Sequence, residues 1–207
     1  VENQSVNASP VAPGDALDFS ADMKDQALDT TRLERPNGDI FCSNTTFSRR
    51  SGNTFGCEKT APSATATYDF FFFANDTVGL VNDSEKVQVE VDGEPPSITS
   101  FTANTTLIRP GEKVRFSANI SDPQGNLAST TLINSTETRC PDGEFSSTGG
   151  EEFSCQEQVK TNTTFKASAT DSVSNSANST GITINIDRSA PDVSITEPST
   201  AVIGGIV

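Results

Sequence analysis

The sequence contains one stretch twice. Residues 110–122 read PGEKVRFSANISD, and residues 13–25, which lie 97 positions earlier, read PGDALDFSADMKD. The Pro-Gly pair is typical of a turn, and the residues after it alternate between apolar and polar side chains. In the second copy Val114, Phe116 and Ala118 fall on one side of the predicted strand. This alternation predicts a strand with one buried face, and its repetition predicts two copies of one domain.

The rest of the chain keeps the same repeat. Apolar residues alternate near the end of each copy, in residues 87–91 and again in residues 182–186. Proline-containing linkers follow, and no segment combines a helical period with helix caps. We therefore predict an all-β chain with two tandem β-sandwich domains, residues 1–93 and 94–190. Residues 191–207 repeat the start of the second copy, which predicts either the first strand of a third repeat or a donor strand.

The four cysteines fall two per copy. They are Cys42, Cys57, Cys140 and Cys155, and each pair is separated by 15 positions. A zinc site would need closely spaced cysteine pairs, which this spacing does not provide. We predict the disulfides Cys42–Cys57 and Cys140–Cys155. Disulfides persist in oxidising compartments, so we also predict an extracellular location.

Composition excludes several functions. The chain has 14 basic and 28 acidic residues and no histidine. A net charge of −14 disfavours nucleic acid and anionic membranes as partners, and no apolar window is long enough to span a membrane. The lack of histidine removes the commonest general base and metal ligand. With no nucleophile motif present, we predict no enzyme activity, no catalytic residue and no cofactor.

Four aspartates lie in predicted turns. They are Asp25, Asp76, Asp122 and Asp171. Calcium at a domain junction would use such oxygens, but the chain lacks Asp-x-Asp or EF-hand spacing. Hydrogen bonds from each carboxylate to the backbone of its own turn explain these residues better. The sequence therefore predicts no metal site.

Asparagine occurs mostly in one motif. Ten of the fifteen asparagines begin an Asn-x-Ser/Thr sequon: Asn3, Asn7, Asn44, Asn75, Asn82, Asn104, Asn119, Asn134, Asn162 and Asn178. Chance would give about four in a chain of this composition. The excess predicts dense, covalent N-glycosylation of a surface-exposed protein, although a composition rich in Thr, Ser and Asn would raise the number too.

Several of these motifs together resemble a known family. The Pro-Gly-x-x-Val-x-Phe-Ser-Ala strand, SDPQGNL at 121–127, ATD at 169–171 and PDVSITEP at 191–198 resemble the immunoglobulin-like repeats of archaeal and bacterial surface proteins. The resemblance implies immunoglobulin-like sandwiches, which serve adhesins, surface layers, filaments and stalks of surface enzymes. The first copy departs from the pattern, because Asp25 is followed by a shorter turn.

Two apolar features suggest contact surfaces. Phe71 and Phe73 fall on the outward side of their strand and would form an exposed patch unless a neighbouring element covers them. The tail contains alternating apolar residues, Val193, Ile195, Val202 and Ile206, which could complete a sheet of another subunit by donor-strand addition. The N-terminal strand, residues 3–9, is an alternative donor.

We therefore predict a structural or adhesive extracellular module of a cell-surface glycoprotein, with a subunit of a surface filament or S-layer as one form. The alternative is a stalk, or an accessory carbohydrate- or protein-binding module of a larger secreted enzyme or adhesin. The predicted partners are copies of the same chain or neighbouring surface-protein domains.

Overall fold

The computed structural model describes residues 1–135 and 137–194, and every regular element in them is a β-strand. The first copy contains β1 (Glu2–Val6), β2 (Ala16–Asp22), β3 (Leu28–Glu34), β4 (Ile40–Cys42), β5 (Ser48–Ser51), β6 (Thr54–Thr60), β7 (Ala66–Asp76) and β8 (Val81–Val91). The second copy contains β9 (Ser97–Ala103), β10 (Leu107–Ile108), β11 (Lys113–Ser121), β12 (Leu127–Ile133), β13 (Thr138–Cys140), β14 (Ser146–Gly149), β15 (Glu152–Gln158), β16 (Thr163–Asp171), β17 (Ser176–Asn178) and β18 (Ile182–Ile186). The predicted all-β class is confirmed.

Each copy folds as two packed sheets. In the first copy the strand orders are β1-β2-β6-β5 and β4-β3-β7-β8. In the second they are β14-β15-β11-β9 and β10-β18-β16-β12-β13, with β17 beside β16. Each pair of sheets encloses its own hydrophobic core, and buried side chains from both sheets contribute to it. This arrangement is a β-sandwich of the immunoglobulin type.

The repeated stretch forms the central strand of one sheet in each domain. In β11 the side chains of Val114, Phe116, Ala118 and Ile120 are buried, and those between them face outward. The Phe116 ring lies 4.8 Å from the Phe165 ring of the opposite sheet, measured between centroids. In the first domain Phe19 and Phe70 make the equivalent contact at 4.9 Å. The predicted alternation is therefore confirmed, and it builds the centre of both cores.

The two disulfides join opposite sheets. Cys42 lies on β4 and Cys57 on β6, whereas Cys140 lies on β13 and Cys155 on β15. Both bridges have a Cα–Cα distance of 6.6 Å. Because β4 and β6 belong to different sheets of the sandwich, each disulfide crosses the core rather than closing a surface loop.

Two polar, glycine-containing segments, whose composition is typical of loops, contain edge strands instead. Residues 44–56 include β5 and residues 141–150 include β14, each paired to the next strand as a hairpin. All four residues of each edge strand are exposed. Neither strand therefore has the apolar alternation by which a half-buried strand is recognised from sequence.

The beginning and end of each domain pair in parallel. β10 pairs with β18, where the Asn185 amide donates to the Thr106 carbonyl at 2.8 Å. In the first domain Val11 bridges to Val91 in the same orientation, and the Val11 amide donates to the Glu90 carbonyl at 3.0 Å. In each domain the last strand therefore pairs with a segment that follows the first strand.

A buried hydroxyl fixes the loop before β14. The Thr130 hydroxyl donates to the Phe145 carbonyl at 2.7 Å, and Thr31 does the same to Phe47 at 2.9 Å. We expect Thr130→Val to lower the free energy of unfolding by about 1–2 kcal/mol, because the carbonyl loses a buried partner. Urea unfolding measures this loss. Thr131→Val, next to it on the outward face, is the control, and equal losses for both variants would contradict the explanation.

Candidate metal centre at the domain junction

Three carboxylates from two domains meet where the domains join. Asp92 directly follows β8 of the first domain, Asp122 follows β11 of the second, and Asp171 ends β16. One carboxylate oxygen of each lies within 4.8 Å of the others. Asp92 and Asp171 are buried, and Asp122 is half-buried. We call Asp92, Asp122 and Asp171 the junction cluster.

Asp92 is held by both domains. Its amide donates to the Val11 carbonyl of the first domain at 2.9 Å. Its Oδ1 accepts the Glu94 amide at 2.9 Å, and its Oδ2 accepts Asn126 Nδ2 of the second domain at 2.7 Å. Asn175 Nδ2 also donates to the Asp92 carbonyl at 3.2 Å. These bonds leave the Asp92 side chain fully buried, with 0% of the residue exposed.

The other two carboxylates are fixed by their own turns. Asp122 Oδ1 accepts the amides of Gln124 and Asn126 at 3.0 and 3.2 Å. Asp171 Oδ1 accepts the amides of Val173 and Asn175, both at 2.9 Å. The predicted turn hydrogen bonds are therefore present. They use Oδ1 of each residue and leave Asp122 Oδ2 without a partner.

The cluster concentrates negative charge in a buried place. None of the ion pairs among the described residues involves Asp92, Asp122 or Asp171. Two ionised carboxylates 4.8 Å apart repel each other by about 3 kcal/mol at an effective dielectric constant of about 20. Amide N–H groups donate to five of the six carboxylate oxygens of the cluster, and Asp122 Oδ2 is the oxygen left without a donor.

Three buried oxygens in the turn 122–126 lack a hydrogen-bond donor. They are Asp122 Oδ2, Gln124 Oε1 and Asn126 Oδ1. Leaving a polar atom buried and unpaired costs about 1–3 kcal/mol, so each such atom needs an explanation. All three are carboxylate or amide oxygens of one five-residue turn, and the Asn126 side chain already contacts Asp92. Oxygens of this kind are the ligands that hard cations take.

The first domain contains a turn equivalent to that of Asp171, and it forms without an amide side chain at the position of Asn175. There Asp76 Oδ1 accepts the amides of Val78 and Leu80, as Asp171 does with Val173 and Asn175. The strand register aligns Leu28 with Leu127, because they pair with Asp76 and Asp171 respectively. The turn therefore forms with Leu80 where the second domain has Asn175. Turn formation therefore does not explain why the second domain has the amide side chains of Asn126 and Asn175 near its aspartates.

The prediction of no metal site stays a prediction, and the junction cluster is the group of side chains that bears on it. The turn explanation is correct for Asp122 and Asp171, but Asp92 lies 30 positions before Asp122, and only the tertiary fold brings it into the cluster. One signal was available in the sequence. Oxygen-bearing side chains alternate in Asp122-Pro123-Gln124-Gly125-Asn126, as they do in many cation-binding loops.

The ten sequon asparagines are accessible. Seven are exposed, namely Asn3, Asn7, Asn44, Asn82, Asn104, Asn162 and Asn178, and the other three, Asn75, Asn119 and Asn134, are half-buried. The side chains of Asn7 and Asn104 occupy equivalent places, since their Oδ1 atoms accept the amides of Asp18 and Arg115. Glycan attachment stays a prediction.

Phe71 and Phe73 do not form a bare apolar patch, which is the covered alternative of the sequence prediction. Both side chains face outward, but both are half-buried. The Arg32 guanidinium lies 3.6 Å from the centroid of the Phe73 ring, a cation–π contact. Phe71 lies between Glu34 and Lys86 of the neighbouring strands. The Arg32 side chain therefore covers Phe73, and a contact between subunits through Phe71 and Phe73 stays a prediction.

The tail is described only in part. Val193 is 77% exposed. Ile195, Val202 and Ile206 lie outside the described residues, so donor-strand addition also stays a prediction.

Comparison with known proteins identifies the fold but no closer relative. No family model and no curated protein matches the sequence. Among solved structures, an I-band fragment of titin has a TM-score of 0.54 at 13% identity, covering 90% of this chain and 66% of the fragment. Fibronectin(III)-like modules of Clostridium thermocellum CbhA give a TM-score of 0.48 at 14% identity, covering 89% of this chain and 94% of theirs. The Escherichia coli adhesin FdeC gives 0.47 at 14% identity, covering 89% of this chain and 63% of its own.

The chain is therefore a tandem immunoglobulin-like β-sandwich protein. The similarity to titin establishes this fold and no particular activity.

Proposed function

We propose that the chain is an extracellular structural module, a spacer within a cell-surface glycoprotein that holds its domains end to end. It acts by shape and stiffness and needs no catalytic residue. N-glycans on the accessible sequon asparagines would shield the sheet faces from proteases. Each disulfide joins the two sheets of its domain. Because disulfides persist in oxidising compartments, they support an extracellular location.

The position of entry and exit in the second domain carries this proposal. The chain enters beside Asp171, at one end of β16, where Asp92 contacts the second domain. It leaves at Asp187, near the other end of β16, where β18 pairs with residues 163–165. Nine strand residues at about 3.3 Å each separate the two ends by about 30 Å. Domains connected in this way continue in line rather than folding back on each other.

The parallel pairing of β10 with β18 suits a chain under tension. Pulling both ends of the second domain loads these two strands in opposite directions along their common axis. In the second domain, bonds from Asn185 to Thr106 and from Asp187 to Ile108, each 2.8 Å long, lie directly in this path. Such bonds are loaded together in shear and resist separation as a group. This resistance to unfolding would serve a spacer that transmits mechanical force between a cell and the surface to which it is attached.

Small-angle X-ray scattering of the secreted, glycosylated chain tests the proposal. We expect residues 1–207 and a shortened chain of residues 1–190 both to be monomeric, with a maximum dimension of the protein part of about 70–80 Å. The shortened chain keeps all of β18, so it retains the whole second domain. Enzymatic removal of glycans from a second sample separates their contribution from that of the domains.

Two results would contradict the proposal that the chain is an extended spacer. A particle much shorter than about 60 Å would mean that the domains fold back on each other. Long assemblies formed by residues 1–207 and lost in residues 1–190 would mean a filament subunit joined by donor strands. Electron microscopy of the same samples distinguishes such filaments from irregular aggregates.

A further inference from the structure

We propose that the junction cluster binds one Ca²⁺ ion and that this ion fixes the angle between the two domains. The ligands are the carboxylates of Asp92, Asp122 and Asp171, assisted by the unpaired amide oxygens of Gln124 and Asn126. Calcium binding goes beyond the spacer function and does not depend on it. A chain with another role would bind the ion through the same residues.

The chemistry of the donors selects calcium. Ca²⁺ takes six to eight oxygen ligands from carboxylates, amide side chains, backbone carbonyls and water, in flexible geometry. The junction cluster supplies three carboxylates, and the turn that contains Asp122 carries the two unpaired amide oxygens of Gln124 and Asn126. Mg²⁺ demands strict octahedral geometry and prefers one or two carboxylates with several waters. Zinc and copper sites use histidine or cysteine, whereas this chain has no histidine and its four cysteines form disulfides.

Two independent features of the structure point to a cation. The first is the group of buried carboxylates without a basic partner among the described residues. The second is the set of buried oxygens in the turn 122–126 that find no donor. A single Ca²⁺ would neutralise two of the three negative charges and coordinate oxygens that otherwise stay unpaired. One ion therefore accounts for both features.

The ligands come from both sides of the junction. The backbone amide of Asp92 donates a hydrogen bond to the Val11 carbonyl, which fixes Asp92 to the first domain. The other ligands belong to the second domain. At this site two amide side chains of the second domain contact Asp92 of the first: Asn126 Nδ2 donates to its carboxylate and Asn175 Nδ2 donates to its carbonyl. An ion shared by Asp92, Asp122 and Asp171 adds coordination bonds across the same boundary, so it restricts bending there.

The second domain ends in a matched residue that serves as a control. The Asp187 amide donates to the Ile108 carbonyl at 2.8 Å, and its Oδ1 accepts the Ser189 amide at 2.9 Å. Asp92 makes the same two bonds with Val11 and Glu94. Asp187 is exposed and lies outside the junction cluster. Asp187→Asn thus changes the same charge in the same local structure, away from the proposed site.

Isothermal titration calorimetry of the complete chain, stripped with a chelator, measures binding. We expect one Ca²⁺ per chain with a dissociation constant of about 10⁻⁴–10⁻³ M, the range of extracellular modules. Asp92→Asn and Asp171→Asn should each weaken binding at least about tenfold. Both variants keep an Oδ1 that accepts the backbone amides, so the turns stay formed. Asp187→Asn should bind as the unchanged protein does.

Spin labels on the two domains measure the effect on the junction. Spin labels are attached to the variant Thr67→Cys with Thr183→Cys, at exposed strand positions of the first and second domains. Double electron–electron resonance between them should give a distance distribution that narrows when Ca²⁺ is added. The narrowing should be absent in Asp171→Asn and retained in Asp187→Asn. Circular dichroism of each variant confirms that the sandwich has formed, and Gln124→Ala is the substitute if Asp92→Asn fails to fold.

Several results would overturn the proposal. Absence of a binding heat together with no Ca²⁺-dependent change in thermal stability would exclude the ion. If Asp187→Asn lost Ca²⁺ binding as the cluster variants do, the ion would not be bound at the junction cluster. If the chain bound Mg²⁺ as tightly as Ca²⁺, the site would not be selective for calcium. Binding without narrowing of the distance distribution would show that the ion does not hold the junction.

Discussion

Phe116→Ala is expected to lower the free energy of unfolding of the second domain by about 3–5 kcal/mol. The Phe116 ring is fully buried at the centre of β11, where it contacts the rings of Phe101 and Phe165. Its removal leaves a cavity between two sheets that are joined by a disulfide, so the sandwich has little freedom to close the gap. A loss of this size is comparable to half the stability of a small domain.

The same experiment tests whether the two cores are independent. No residue of one core belongs to the other among the described residues, so Phe116→Ala should leave the first domain unchanged. Phe19→Ala is the matched variant of the first domain and should have the converse effect. Hydrogen exchange followed by mass spectrometry assigns each loss to its own domain. Equal deprotection of both domains by either variant would contradict independent folding.

A polar substitution on the same strand provides the control. Arg115 points outward from β11, next to Phe116, and its guanidinium contacts Ser154. Arg115→Ala should change exchange in the second domain far less than Phe116→Ala does. A similar loss of exchange protection in both variants would mean that β11 tolerates no substitution. Cavity formation would then not explain the destabilisation by Phe116→Ala.

Local patterning accounts for the part of the fold that the sequence predicted. The strands of the two sheet centres alternate between apolar and polar residues, and Phe116 or Phe70 falls on the buried side as that alternation requires. The edge strands β5 and β14 bury nothing, so their sequences carry no such signal. Hydrogen bonding to β6 and β15 determines them, and that pairing depends on the position of a neighbouring strand.

Contacts between distant residues explain why the candidate site was missed. Asp122 and Asp171 were recognised as turn residues, since each accepts amides within its own turn. Asp171 Oδ2 also accepts a hydrogen bond within its turn, from Asn175 Nδ2, whereas Asp122 Oδ2 has no donor. The cluster becomes visible only with Asp92, which belongs to another domain. Phe73 is a similar case, because the covering guanidinium comes from Arg32 on the adjacent strand. Periodicity assigns a side chain to a face of the sheet but does not identify its neighbour across that face.

Replacing both cysteines of one bridge, as in Cys140→Ala with Cys155→Ala, is expected to cost about 3 kcal/mol. The bridge closes a segment with a sequence separation of 15, and opening it returns that freedom to the unfolded chain. For a domain of about 100 residues, this loss lowers the melting temperature by roughly 12–24 °C. Differential scanning calorimetry of the double variant and of the unchanged chain measures it.

The repeat allows the origin of this stabilisation to be examined as well. The bridge Cys42–Cys57 also has a sequence separation of 15 and also joins opposite sheets. If the stabilisation comes from restriction of the unfolded chain, Cys42→Ala with Cys57→Ala should cost the first domain the same free energy. A clear inequality would instead place part of the effect in the folded domains, whose cores differ around the bridge. Unchanged melting in either double variant would contradict a stabilising role for that disulfide.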